Sequence, residues 1–335
     1  MPSFFMIEAE PLVRDSQTMT LHRLLDWVEI ERQLVGLYRR EVSHAGGPEP
    51  YSPLGMFKLM LLGQWHGLSD PELERALKVR VDFMVFTGFE PGEPGFPDAT
   101  TICRFRNRLV KAKLDQRLLR KINGQLERAG LKVQGATGAL IDATIIPSAA
   151  RPNSHIEFDD EEQPQVVTSA DPEATWVKKS GQAFYGYRGY ASVDSEDGYV
   201  DHVEVHPANE SEMGKLVQVV DALPVKPEAV LADKGFASAK NRQELQDRGI
   251  GDLIQYRGHH HRPLQPWQNK INKAIGAIRF KVEQAFGTMK RRFGLARARY
   301  MTTAKVQAQM VWAALGMNLL KAHRKLSSQT ESCGA

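Results

Sequence analysis

Between Asn269 and Gly294 the apolar residues Ile271, Ile275, Ile278, Val282, Phe286, Met289 and Phe293 recur every three or four positions. That period predicts one long helix with a continuous apolar stripe. Gly276, Arg279, Glu283, Gly287 and Lys290 recur at the same steps on an adjoining face, and Lys273, Lys281, Arg291 and Arg292 take the rest. Glu283 is the lone acid of this helix. It reads either as the partner of Arg279 one turn back, or as a metal-binding carboxylate among phosphate-binding cations.

Upstream, residues 1–18 read as irregular. Leu21, Leu24, Leu25, Val28 and Leu34 predict a helix that ends before the Ser43–Pro48 loop. Ser52-Pro53 supplies a cap and first turn for the next helix, and Gly67 closes it. Ser69 and Glu72 form a capping-box pattern ahead of Leu73, Leu77 and Val81. After a Gly/Pro-rich loop, Asp98 caps a helix with Ile102, Phe105 and Leu109 inward and Arg104, Arg106 and Arg108 around it. Leu114, Leu118, Ile122 and Leu126 stay in helical phase to Gly130. An all-α region results. Two helices joined by a turn, the second opening on Thr and Arg, suit a helix-turn-helix-like DNA reader, although the loop is longer than usual. An ordinary bundle with a solvated arginine face accounts for the same pattern.

The period changes after Gly135. Gly138–Ile146 reads as a buried strand with Asp142 at its middle, where a carboxylate is costly unless paired or bound to a cation. Pro147–Thr175 reads as an acidic, mobile loop. A hairpin follows (Phe184–Val193, a turn at 194–198, Tyr199–His206), with Asn209 and Glu212 read as the capping pair of the next helix. Ala229–Ala232 is a short strand ending in Asp233, and a helix over 239–247 and a strand over 253–256 lead into the basic helix. That order makes the fold α/β, a mixed sheet flanked by helices and preceded by an all-α domain. The expected divisions are a helical segment (1–48), a helical DNA-binding domain (49–135), a catalytic domain (136–325) and a flexible tail (326–335).

Composition sharpens this picture at two points. The net charge of the 335-residue chain is only +4, yet residues 251–325 hold fifteen Lys and Arg against Asp252 and Glu283. A polyanionic partner for that half follows. The two cysteines, Cys103 and Cys333, imply no disulfide framework, and the longest apolar run, Leu54–Trp65, is too short to span a bilayer and contains Lys58. A cytoplasmic protein without a membrane partner is expected.

Three acids then carry the chemistry: Asp142 in the first strand, Asp233 after the fourth, and Glu283 on the last helix, 91 and 50 residues apart. Converging carboxylates suit hard cations such as Mg²⁺ or Mn²⁺. Two such ions support phosphodiester displacement, and the surrounding cations suit a nucleic-acid phosphate. Paired carboxylates also suit a glycosidase, which leaves the basic half unexplained. His259-His260-His261 lacks a spaced ligand partner and reads as an exposed loop.

These acids sit within local motifs: Pro97–Ile102 leading to Arg104-Phe105-Arg106, Leu140–Thr144, Phe184–Arg188, Ala232–Phe236, and Arg279, Glu283 and Lys290 at fixed spacing. Together, in this order, they resemble the DDE transposases of bacterial insertion sequences, and most nearly the insertion-sequence-five family. The resemblance implies an RNase H-like catalytic domain that cleaves and transfers DNA strands with two Mg²⁺ ions held by Asp142, Asp233 and Glu283. It also implies a homodimer on paired element ends, whose terminal inverted repeats are bound through residues near 50–130. Candidate DNA contacts are Arg104, Arg106, Arg108, Lys178, Lys179, Arg279, Lys290, Arg291 and Arg292. Gly276 stands where the family's C-terminal signature often has Tyr. An inactivated relative acting as a DNA-binding repressor is the alternative.

Overall fold

A computed structural model describes residues 4–38, 49–92, 95–152, 155–158, 164–167, 169–179, 181–258 and 261–333. The chain forms two compact units, Met1–Lys132 with Asn318–Ala335, and Val133–Met317.

The first unit is helical: α1 (Phe4–Val13), α2 (Gln17–Leu24), α3 (Trp27–Leu34), α4 (Pro53–His66), α5 (Asp70–Val79), α6 (Val81–Thr87), α7 (Ala99–Lys111) and α8 (Asp115–Arg128). α4 is its centre. Phe57, Leu59, Leu61, Leu62 and Trp65 are buried around the helix, as expected for a segment apolar on every side. Lys58 is buried with them, its Nζ 3.1 Å from His22 Nε2 and 4.6 Å from the Trp27 ring centre. The capping signals read from the sequence operate as expected. Ser52 Oγ accepts from Gly55 N–H, Glu72 accepts from the Ser69 backbone at 2.8 Å, and Asp98 accepts from Thr101 N–H at 2.6 Å.

Four expectations are corrected here. Residues 4–13 are helical rather than irregular. The single helix expected over 21–34 is two, because Asp26 accepts from Val28 and Glu29 N–H and starts a new helix. Between α7 and α8 the chain breaks phase at Lys113, which has φ 53°. Residues 326–333 belong to a helix rather than a flexible tail. The described residues before 48 and those from Asn318 fall in the one helical unit. The Ser43–Pro48 loop, Glu93, Pro94, His259 and His260 lie outside the described residues.

The second unit is α/β. Its main sheet contains β1 (Gly138–Pro147), β4 (Thr175–Lys179), β5 (Gln182–Asp194), β6 (Val200–Pro207), β7 (Ala229–Ala232) and β8 (Gly251–Ile254). β5 pairs antiparallel with β1 on one edge and with β4 and β6 on the other; β7 and β8 then add in parallel beyond β1. Helices α9 (Leu216–Asp221), α10 (Ala239–Asp247), α11 (Pro266–Arg292) and α12 (Thr303–Cys333) complete the chain. One core joins Ile141, Tyr190, Val230 and Ile254 of the strands to Leu216, Val219 and Leu245 of α9 and α10. This is the mixed sheet flanked by helices expected of the fold class.

The expected acidic loop over 147–175 is partly structured. β2 (His155–Phe158) and β3 (Pro164–Val167) make a small hairpin. Asp171 is fully buried, accepting from Ser148 Oγ and Tyr187 OH at 2.5 Å each and from Thr302 N–H at 3.2 Å. A buried carboxylate with several donors fixes its segment.

Candidate active site

β1 lies between β5 and β7, so its residues meet neighbours on both sides. Its parallel pairing with β7 ends at Ile141 opposite Ala232. Asp142 and Asp233 are therefore the next residues of two adjacent parallel strands. Past that pairing Asp142 keeps a narrow opening, its side chain retaining 17% of its accessibility, while Leu140 and Ile141 before it are sealed. Asp233 turns away from the strand to cap a short 3-10 turn, Lys234–Phe236, by accepting from Gly235 N–H at 2.6 Å.

Helix α11 brings an arginine to this point. Arg279 Nη2 stands 3.0 Å from Asp142 Oδ2, and its buried Nε has no hydrogen-bond partner. The buried line of α11 runs through Ile275, Arg279, Val282, Phe286 and Met289, followed by Phe293, whereas Ile271 and Ile278 are exposed. The expected stripe is thus shifted around the helix, and Arg279 takes the place assigned to Ile278. Its ion pair is with Asp142, not with Glu283. Glu283, one turn further, is exposed. Among the described residues no three His, Cys, Asp or Glu side chains are gathered as a metal site.

The electrostatics of Asp142 follow from this placement. Burial pushes its carboxyl up to about 6; Arg279 and the Ala143 N–H pull it down, and the negative charges of Asp233 and Glu212 add to the rise. Glu212 is the acid that the sequence reading assigned to helix capping. It begins a 3-10 turn instead, 3.2 Å from Arg188 Nη1. A Cβ at position 235 would collide with Glu212 Oε2 and Asp233 Oδ1, so Gly235 is what lets these acids close on its backbone. Asn209, its expected partner, exchanges hydrogen bonds with Thr175. The available sequence signal was an acid directly after a hairpin that returns to the strand carrying Asp142.

The candidate DNA contacts fall into distinct surroundings. Arg104 is exposed on α7. Arg106 is largely buried in a two-pronged ion pair with Asp70, its Nη1 donating at 2.8 Å. Arg108 lies over the Tyr38 ring, 4.8 Å from its centre. Lys178 and Lys179 are exposed on β4, and Arg291 and Arg292 at the end of α11. Lys290 is half-buried, its ammonium pushed below the usual lysine range by burial and by the charge of Lys179. The structure thereby brings two of the expected cations, from different elements, to one place. Lys281 is used structurally, donating to the backbone oxygens of Ser195 and Glu196.

Comparison with known proteins bears on this arrangement. Residues 134–319 match the family described as Transposase DDE domain, and residues 8–108 match Transposase domain (DUF772). The chain is 41% identical over 228 residues to the transposase for insertion sequence element IS1106 of Neisseria meningitidis serogroup B, covering 67% of this chain and 78% of that one. Among solved structures, the piggyBac transposase synaptic complex with hairpin DNA aligns with 96% of this chain and 77% of its own, at 12% identity and TM-score 0.46. The Mos1 strand transfer complex aligns with 95% and 96%, at 15% identity and TM-score 0.28. The family matches define a DNA transposase, an enzyme class that breaks and joins phosphodiesters with divalent metal ions. The chain belongs to the DDE transposases of bacterial insertion sequences.

Proposed function

We propose that the protein binds the terminal inverted repeats of its own element, cuts the DNA at the element ends and joins the freed ends to target DNA. The observation carrying this reading is the adjacency of Asp142 and Asp233, each one residue past the last parallel pair of β1 and β7, with α11 reaching Asp142 one turn before Glu283. The donor chemistry fits a hard divalent cation, because Asp142 is an oxygen ligand whose ionised form is disfavoured by burial and by nearby acids. Asp142, Asp233 and Glu283 would hold two Mg²⁺ ions, or Mn²⁺ in their place. Such ions supply positive charge to the attacking and leaving oxygens of the displacement.

The protein's own groups do the rest. Lys290, seven residues beyond Glu283 on the same helix, offers a cation to a phosphate beside the site, while Arg279 is engaged with Asp142. The chain positions the scissile phosphodiester for attack by water, which leaves a 3′-hydroxyl; that hydroxyl then attacks the target phosphodiester. Two copies of the chain holding two element ends complete the assembly.

The test is cleavage of an end-bearing duplex with Mg²⁺ by Asp142→Asn, Asp233→Asn and Glu283→Gln. Each keeps size and removes a ligand charge. We expect cleavage to be lost in all three and end binding to be retained. Near-native cleavage by two of them overturns the assignment.

A further inference from the structure

Helix α8 carries a basic face that the cleavage reading does not use. Arg117, Arg120, Lys121 and Arg128 line a groove of about 350 Å³ together with Gly124 and with Glu29 of α3. The opposite side of the helix, Leu118, Leu119, Ile122 and Leu126, is fully buried, so the cations hold a fixed line on a helix that cannot roll. Glu29 pairs with Lys121 at 3.5 Å and with Arg128. Arg117 and Arg120 have no ion pair among the described residues. Four cations against one carboxylate leave the groove strongly positive.

Gly124 gives this face its meaning. A glycine inside a helix weakens it relative to alanine. Packing does not require it here, since a Cβ at position 124 would meet only Arg128 Nη1, at an ordinary 3.7 Å. What the glycine does is leave bare backbone on the floor of the groove, between the cations.

We propose that this face binds the sugar-phosphate backbone of double-stranded DNA, with Gly124 admitting the strand against the helix. The proposal rests on the reading of the protein as a DNA transposase. Arg117 to Arg128 spans about 16 Å of helix, long enough to meet more than one phosphate of a strand. Flexible cations around a residue with no side chain hold phosphates without reading bases, so the face positions DNA and does not select its sequence.

The experiment measures affinity of the full-length chain for an element-end duplex and a random duplex over a range of salt, together with melting temperature. Arg117→Ala and Arg120→Ala should each lower the slope of log affinity against log salt by about one, equally on both duplexes. Gly124→Ala should raise the melting temperature yet weaken DNA binding several-fold, a pairing that a purely structural glycine does not give. Lys240→Ala, on an exposed face of α10, sets the baseline. Wild-type binding of DNA with unchanged affinity and slope in the three α8 variants overturns this surface and leaves the transposase reading standing. Loss confined to the element-end duplex overturns the phosphate assignment. A wild-type chain that binds neither duplex overturns both.

Discussion

Asp142 shows how much one side chain reports about its site. Burial raises its pKa to about 6, with Asp233 and Glu212 adding to the rise against the pull of Arg279. The folded value therefore lies above the unfolded one, near 3.9. The folded metal-free protein binds this proton more tightly than the unfolded chain. The associated stability is present below the unfolded value and is lost as pH rises through about 6. Asp142→Asn removes the titration. In chelator, the variant should gain on the wild type by on the order of 2 kcal/mol between pH 4 and pH 7, and by no more above that. Leaving Arg279 without its partner offsets the whole curve, so the pH dependence of the difference is the readout, taken from denaturant unfolding. A difference flat from pH 4 to pH 7 would mean that Asp142 is not held against ionisation. The place of Asp142 within a largely buried strand was legible, because the apolar run around it marks β1. Glu212 was not, because an acid after a turn is common and only the closing of the chain at Gly235 reveals its neighbours.

At the scale of elements, local chemistry was legible and tertiary choice was not. Ser52, Ser69 and Asp98 mark helix starts through hydrogen bonds made within a few residues, and the structure has them. The face that α11 buries depends instead on what it meets. Asp142 draws Arg279 inward and leaves Ile278 outside, a choice the spacing of apolar residues alone cannot contain. The arginines of α7 divide in the same way. Arg106 braces α7 to α5 through Asp70, whereas Arg104 faces solvent. Arg106→Ala should therefore destabilise the helical unit by roughly 1–3 kcal/mol, since it leaves a partly buried Asp70 unpaired. Arg104→Ala should leave stability unchanged. If Arg104 reads a base it should lose 1–3 kcal/mol of binding on the element ends, roughly, and relax specificity at its position. Melting curves and titrations of both variants separate these roles. An Arg106→Ala protein of native stability would return that residue to the DNA contacts.

For the molecule as a whole, the sequence conveyed the change from helices to sheet near Gly135 but not the return of the chain to its first unit. That return is made by residues far apart in sequence, which no local period links. Asn318 Nδ2 donates to Asn123 Oδ1 at 2.8 Å, with both residues buried. Leu319, Leu320 and Ala322 are buried beyond it, the His323 ring stands 6.3 Å from that of Trp65, and Lys325 donates to Leu131 O at 3.2 Å. Leu319 and Leu320 alone are worth about 1.5–3 kcal/mol each on burial. Against a domain stability of roughly 5–15 kcal/mol, their loss together with the Asn pair removes much of the margin. A chain cut after Met317 should lose the hydrogen-exchange protection of α8 and melt early in its helical unit. A chain cut after Gln329 keeps all these contacts and should match the full-length protein in both measurements. If α8 amides stay equally protected when residues 318–335 are absent, the C-terminal segment is not part of that unit's core.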